Sequence, residues 1–424
     1  MSSSDDDNLI LCVPRQSSGL NPNQPVVIRN PKPKHLPPNH VLIKVDRFGF
    51  SANKYCTDRI LTRSPIRYFD YHPTPTAESV SPRTHGLIPV WGFGTIIDST
   101  HPRVQTGERV YGYLAPARYL LVPVSPSDVN KFAFFVPRPH LPADRRPYNQ
   151  ITRCSNDPLY DPSPATEDLT MLYRPLFWTA YWCEDWLFSS KYRGANQILI
   201  SSASSKTAFC LAYLISKRVI RDGIPGFSIV GLTSKRNLAF TRGLALYDEV
   251  LDYDSFTSAS ALLRTQGTQK WLYVDVAGND SINARVFSHF GSRLVANIAL
   301  GLTNLSPSSL DASSTKWSTN TFTENDTKSS SASPTTLEQF FMPEWLAVRR
   351  HQLSIAQITS LQRQAWKELM KDCRNWVKID HIFGGEGVKA AYEQVAKGGL
   401  EPDKGLIWSL WGNGVGTDGL SSKL

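Results

Sequence analysis

Apolar and polar positions change rhythm along this chain. "HVLIKVDRFGFS" (40–51) alternates with a period of two, as a half-buried strand does. "GLIPVWGFGTIIDS" and "GERVYGYLAPARYLLVP" follow as short β-type runs punctuated by glycine and proline. Residues 1–40 are polar and proline-rich with short apolar islands, and 125–168 read as loop. Near residue 169 the period lengthens, and "LTMLYRPLFWTAYWCEDWLF" spaces its apolar residues as a helix does. Strand candidates at 198–201, 228–232, 249–251, 271–276 and 294–298 then alternate with helical stretches. That alternation predicts a parallel, doubly wound α/β sheet. Residues 303–336, mostly Ser, Thr, Asn, Asp and Pro, cannot bury enough apolar surface to order themselves and predict a mobile surface loop. "SIAQITSLQRQAWKELMKDC" then reads as a helix, "WVKIDHIFGGEGVKAAYEQVAKGG" as strand, turn and helix, and "KGLIWSLW" as a closing strand.

The turn after the first strand of the alternating part is "SSASSKTA" (201–208). Such a turn usually carries glycines, so that the backbone can approach a pyrophosphate. Here there is none from Ile198 to Ile215. Small residues still allow close packing, and a helix N-terminus attracts anions. Ser204, Ser205 and Thr207 add hydroxyls and Lys206 adds a charge; the alternative is a capped helix start with an exposed lysine. After the second strand comes "GLTSKRN". A cofactor with a free adenosine ribose meets Asp or Glu at this place, and that acid repels a 2′-phosphate. Thr233, Ser234, Lys235, Arg236 and Asn237 contain no acid and two cations, which suits a dianionic phosphate. The two turns together predict NADPH. Ala277 and Gly278, in "VDVAGND", are small enough for a cofactor to lie across the sheet edge.

Composition narrows the picture further. The 424 residues are 41% apolar and 20% charged, enough for two or three domains with a sizeable core. No apolar run reaches the roughly 18 residues of a membrane span, and "MSSSDDDNLI" lacks the features of a signal peptide. The expectation is a soluble, cytoplasmic protein without a membrane partner. The net charge of +9 comes from scattered basic residues without a block of like charge, which argues against a nucleic-acid partner and for a polyanionic cofactor. The six cysteines form no CxxC pair and read as plain thiols. His72 and His85, isolated beside prolines or glycines, read as surface residues.

The order of these features resembles the medium-chain dehydrogenase/reductase superfamily, in particular its zinc-free, quinone-oxidoreductase-like branch. "VLIKVDRFGFSANKY" looks like that branch's first motif, and "GFGTIIDSTHPRVQTGERVYGY" is similar to its glycine-rich stretch, with Glu108 in the acidic position. "WTAYWCEDWL" resembles the helix entering the nucleotide domain, and "LALYDEVLDYDSF" the piece after the second strand. "FSANKY", "IPVWGFG", "GERVYGYL", "LYRPLFWTAY", "SSASSKTAF" and "GLTSKRN" look like a narrower fungal and bacterial family of unknown function beside it. The resemblance implies a GroES-like, β-rich domain (1–168) and a Rossmann-type nucleotide domain (169–345) that holds the 303–336 insert. A C-terminal segment (346–424) would return to the first domain. Zinc-dependent members carry Gly-His-Glu where this chain has Gly92–Phe93–Gly94, and the cysteines of their four-cysteine lobe are missing. No metal is therefore expected.

What remains is the chemistry of hydride transfer, which needs a placed cofactor, a polarised acceptor and a proton source. By the motif match Lys54 and Tyr55 face the substrate, Lys54 bonding a developing enolate and Tyr55 donating a proton. Tyr68, Tyr71 and Trp91 are candidate pocket walls, since aromatics dominate apolar ligand sites. Arg174 and Tyr181, on the helix into the nucleotide domain, are further substrate candidates. The resemblance implies an NADPH-dependent reductase of a conjugated or simple ketone, in small-molecule (secondary-metabolite) biosynthesis. Two other classes stay open. One is a non-redox lyase or cyclase on the same scaffold; the other is a nucleotide-sensing or nucleic-acid-binding protein. The sequence names neither the small-molecule substrate nor the oligomeric state, a homodimer included.

Overall fold

A computed structural model describes residues 7–51, 68–77, 79–141, 146–259, 269–300, 317–318 and 337–412. The chain divides into two compact units. One comprises residues 1–172 and 363–424, the other residues 173–362.

The first unit is mostly antiparallel β-structure. Its strands are β1 (Asp7–Pro14), β2 (Val26–Pro31), β3 (His40–Phe50), β4 (His85–Gly86), β5 (Val90–Ser99), β6 (Arg109–Leu114), β7 (Tyr119–Pro123), β8 (Ala133–Phe135) and β9 (Gln150–Arg153). Two more come from the far end of the chain, β17 (Lys378–Phe383) and β18 (Lys404–Ser409). β2, β1 and β4 form a small sheet. The larger sheet runs β17-β18-β3-β5-β6-β9-β8, with β7 also pairing β3. β3 is long enough to serve two neighbours on one edge: its residues 40–44 pair with β7 and 48–50 with β18. β17 and β18 are parallel and joined by the helix Gly385–Gly398, a βαβ return. Ser163 starts the helix Pro164–Ser189: its Oγ accepts from the Thr166 N–H at 3.4 Å, and Pro164 occupies a first-turn position that needs no donor.

The second unit is a parallel sheet. Its strands are β10 (Gln197–Ile200), β11 (Ser228–Thr233), β12 (Glu249–Asp252), β13 (Trp271–Asp275), β14 (Leu294–Ala299), β15 (Trp317–Ser318) and β16 (Leu337–Gln339). They lie in the order β12-β11-β10-β13-β14-β16-β15, and every pair is parallel. The first five strands lie in the order 3-2-1-4-5, as in the dinucleotide-binding fold, in which the chain reverses direction of travel beside its first strand, and β16 extends the sheet beyond β14. Ile198, Leu199 and Ile200 are fully buried, as a central strand covered on both faces requires. The expected fold, a β-rich unit plus a doubly wound sheet with a C-terminal return, is the observed one. All but two residues of the 303–336 insert lie outside the described residues; Trp317 and Ser318 form β15, at the sheet's edge.

Candidate functional site

The crevice of such a sheet lies outside the carboxyl ends of its strands, where the order reverses. Here that point falls between β10 and β13, and its floor is a buried polar knot. Ser201, fully buried, donates its hydroxyl to Asp275 Oδ1 at 2.9 Å and accepts the backbone N–H groups of Val276 and Ala277 at 2.9 and 3.0 Å. Asp275 also accepts from Gly278 N at 2.8 Å and from Asn283 Nδ2 at 2.8 Å. Burial raises the Asp275 pKa, opposed by these donors. The knot ties the first strand to the fourth and shapes the turn holding Ala277 and Gly278, where Gly278 takes a left-handed φ of 61°. Sequence reasoning missed Ser201 and Asp275. "VDVAGND" carried the acid, but its partner lies 74 residues away.

The glycine-free turn closes by distributing the glycines' duties. Ser202 takes the left-handed conformation, φ 53°, that glycine adopts at no steric cost. The Tyr253 hydroxyl accepts its N–H at 2.8 Å and holds it there. Ala203 then runs against β11, donating its N–H to the Leu232 carbonyl at 2.9 Å and accepting the Tyr247 hydroxyl at 2.9 Å. The close approach works because β11 has Gly231 opposite: a Cβ there would lie 2.8 Å from the Ala203 Cβ. Ser205 caps the helix Lys206–Asp222, its Oγ accepting from Ala208 N at 3.4 Å. Lys206 opens that helix and is only 9% exposed, not the surface lysine of a bare cap. Thr207 follows it in the first turn, partly buried.

The second turn is joined to the first through one hydroxyl. Ser204 Oγ accepts from Thr233 Oγ1 at 3.1 Å and from Asn237 Nδ2 at 3.0 Å, which leaves its own proton to give. Both turns therefore occupy neighbouring strand ends. Between Thr233 and Asn237, Lys235 and Arg236 are exposed. Ser234 is partly buried, and its Oγ is a buried atom without a hydrogen-bond partner among the described residues. An orphaned hydroxyl beside two exposed cations and no acid suits a phosphate oxygen.

In the first unit Lys54 and Tyr55 lie outside the described residues. Tyr68 and Tyr71 are 8% and 3% exposed, and the Tyr71 ring packs edge-on against Tyr113 and Tyr148 at 5.3 and 5.9 Å. In this structure they pack the core. Trp91 is partly exposed and stacks on Tyr111 at 5.5 Å. Arg174 is partly buried on the helix Pro164–Ser189. Tyr181, on the same helix, sits against Trp182 at 5.0 Å, and burial pushes its phenol up to about 12. Both histidines expected at the surface are buried. His72 is 3% exposed and shares a 3.0 Å hydrogen bond with the Tyr113 carbonyl; burial, with Arg138 nearby, lowers its pKa to about 3. His85 is 2% exposed and meets Thr84 Oγ1 at 2.9 Å.

A second buried network went unseen in the sequence. Arg47 donates to Asp168 Oδ1 at 2.8 Å and to Glu167 Oε2 at 2.9 Å. Arg109 grips both oxygens of Glu167, at 3.0 and 2.6 Å, and reaches Asp46. Tyr160 donates to Glu167 Oε1 at 2.9 Å, and His381 Nε2 meets Asp168 Oδ2 at 2.8 Å. Glu167 and Asp168 are 3% and 4% exposed, so these cations answer their charge. Gly92 and Gly94, at the Gly-Phe-Gly site, have no room for side chains: a Cβ on Gly94 would sit 2.6 Å from the Lys44 carbonyl. Among the described residues no group of three His, Cys, Asp or Glu could hold a metal ion, and no helix is long and apolar enough to cross a membrane.

Residues 48–401 match the protein family described as "Protein of unknown function (DUF2855)". No curated protein matches the chain. Among solved structures the chain is similar to a protein of Mesorhizobium loti described as a candidate NADPH:quinone reductase. That likeness has 15% identity and a TM-score of 0.54, over 96% of this chain and 100% of the other. It is also similar to CurA from Vibrio vulnificus, with 12% identity and a TM-score of 0.53 over 95% of this chain and 98% of that one. CurA in complex with NADPH gives 12% identity and a TM-score of 0.52, with the same coverage. These are likenesses of fold.

Proposed function

The chain belongs to the DUF2855 family, and from that premise and the crevice just described we propose that it is an NADPH-dependent oxidoreductase of the medium-chain type. The observation that carries the reading is the junction at Ser204. It couples the turn that opens the first helix to a second-strand turn with two cations, an orphaned hydroxyl and no acid. The NADPH-bound structure of a fold neighbour supports it.

In this reading Ser204, Ser205, Lys206 and Thr207 hold the pyrophosphate. Thr233, Ser234, Lys235, Arg236 and Asn237 read the 2′-phosphate, and Ala277 and Gly278 lie under the cofactor. NADPH, when bound, supplies hydride. The protein's own share is to fix the two phosphate sites with bonds already in place, so that little ordering accompanies binding. The substrate we propose is a conjugated or simple ketone from small-molecule biosynthesis in the cytoplasm. By the motif match Lys54 would bond a developing enolate and Tyr55 would give the proton; Trp91, Arg174 and Tyr181 are candidate substrate contacts.

Calorimetric titration tests the assignment. Charge-assisted contacts are worth about 1.5–3 kcal/mol each, so NADPH should bind at least ~10-fold tighter than NADH. Replacing Lys235 and Arg236 together with alanine should erase most of that gap. Equal affinities in the unaltered protein would sink the cofactor assignment. No binding of either nucleotide would move the non-redox alternative ahead.

A further inference from the structure

The first unit holds a cleft of about 610 Å³ that the proposed reductase chemistry does not use. One wall is the segment 158–166. The other is the end of the helix Ile355–Asp372 and the turn after it. The helix wall carries Arg363, Lys367, Lys371 and Arg374, all exposed, and none pairs with a carboxylate among the described residues. Asp161 is the one carboxylate of the lining. Between the walls lie apolar groups, Leu159, Met370 and the buried Trp366, whose Nε1 donates to the Leu159 carbonyl at 3.2 Å and holds the walls together.

We propose that this cleft docks an acidic amphipathic segment of a partner protein. Four cations against the single carboxylate of Asp161 leave the cleft net positive, and a cleft of one sign of charge draws a partner of the other. Their spacing indicates the shape of that partner. Residues 363, 367 and 371 recur every four positions, so the charges climb the helix in steps of about 6 Å. Carboxylates at every fourth position of a helical segment repeat at the same interval. A compact polyphosphate would call for cations converging on one point, whereas these are strung along three turns. A nucleic-acid strand would seek an exposed aromatic ring on which to stack. Trp366 is 4% exposed, and the partly buried Tyr160 already packs on Phe93 at 6.0 Å and gives its hydroxyl to Glu167. An amphipathic acidic segment satisfies both features, carboxylates to the basic wall and apolar side chains to Leu159 and Met370.

The test uses the full chain and a fluorescein-labelled helical peptide with glutamate at every fourth position and leucine on the adjacent face, followed by anisotropy. Saturable binding is expected, weaker at 200 mM than at 50 mM salt and absent for the peptide with glutamine in place of glutamate. Lys367→Glu with Lys371→Glu should weaken it at least tenfold, while Lys235→Ala with Arg236→Ala should leave it unchanged. Should the glutamate pair disturb folding by circular dichroism, Lys367→Gln with Lys371→Gln should weaken binding at least threefold. Lack of saturable binding, or undiminished binding by the folded cleft variants, overturns the proposal. Displacement of the peptide by single-stranded RNA or by tripolyphosphate, below the peptide's own Kd, overturns it in favour of a nucleic-acid or small-polyanion site.

Discussion

Replacing Gly231 with alanine should damage the nucleotide turn from the neighbouring strand, and replacing Ala203 with glycine should repair much of the damage. The added Cβ would lie 2.8 Å from the Ala203 Cβ and 3.0 and 3.1 Å from the Tyr247 ring. Carbon atoms pack best at about 3.5–4.0 Å, so each neighbour must retreat by roughly 0.5–1 Å. Neither can do so freely: Ala203 is bonded to Leu232, and Tyr247 to Ala203. Overpacking of this kind costs about 1–3 kcal/mol. Alanine's backbone advantage over glycine, about 0.5–1 kcal/mol, offsets part of it. The net loss should be about 1–2 kcal/mol, or roughly 2–8 °C in the thermal midpoint of a unit this size. Ala203→Gly removes the shortest contact and leaves the Tyr247 ring. The double variant should therefore be more stable than the sum of the single effects by about 0.5–1.5 kcal/mol. Urea melts of the four proteins measure the coupling. A Gly231→Ala loss below about 0.5 kcal/mol, or zero coupling, would refute the idea that the turn's missing glycine is supplied by β11.

Three further outcomes are expected. Lys206→Met keeps length and removes charge; it should weaken NADPH binding by roughly 1–2 kcal/mol with little effect on folding, and unchanged affinity by calorimetry would reduce the turn to a capped helix start. His72 is held neutral, with its folded pKa near 3 against 6.5 unfolded, so its contribution is whole above 6.5 and drains away as pH falls toward 3. About 2 kcal/mol should be lost by pH 5, and the His72→Gln variant, compared by urea melts at pH 7 and 5, should lack that increment. Glu167→Gln leaves Arg109 and Arg47 without their shared carboxylate and should cost about 3–5 kcal/mol in the first unit; a melt within 1 kcal/mol of the parent would show that the cluster is not a stabilising hub.

The parallel strands were legible because buried strands print apolar runs, and 198–201, 228–232 and 294–298 fall on β10, β11 and β14. The start of the long helix was less so. Residues 164–168, Pro-Ala-Thr-Glu-Asp, carry no large apolar side chain, so an apolar period detects the helix only near 169. β1 and β2 hide among prolines, and β9 is four residues set in a stretch that reads as loop. The two phosphate turns could be found by position, but not their junction. The donors to Ser204 are the Thr233 hydroxyl and the Asn237 amide, 29 and 33 residues away. The buried histidines misled for a related reason. "YHPTP" has the texture of a surface loop, and only the folded chain brings the Tyr113 carbonyl to His72.

The seating of β18 between β17 and β3 also sets an order of events during synthesis. Leu406 pairs with Phe50, so about 356 residues must leave the ribosome after Phe50 before that ladder can close. At 5–20 residues per second this is a wait of roughly 20–70 s. The whole 173–362 unit emerges within it and can complete its own sheet first. Meanwhile the 48–50 end of β3 lacks its neighbour on one edge, and the buried Phe48 and Phe50 lack the Trp408 ring that each packs against. A nascent chain stalled before residue 404 would keep that apolar edge open, making it a natural foothold for chaperones and, failing them, for aggregation.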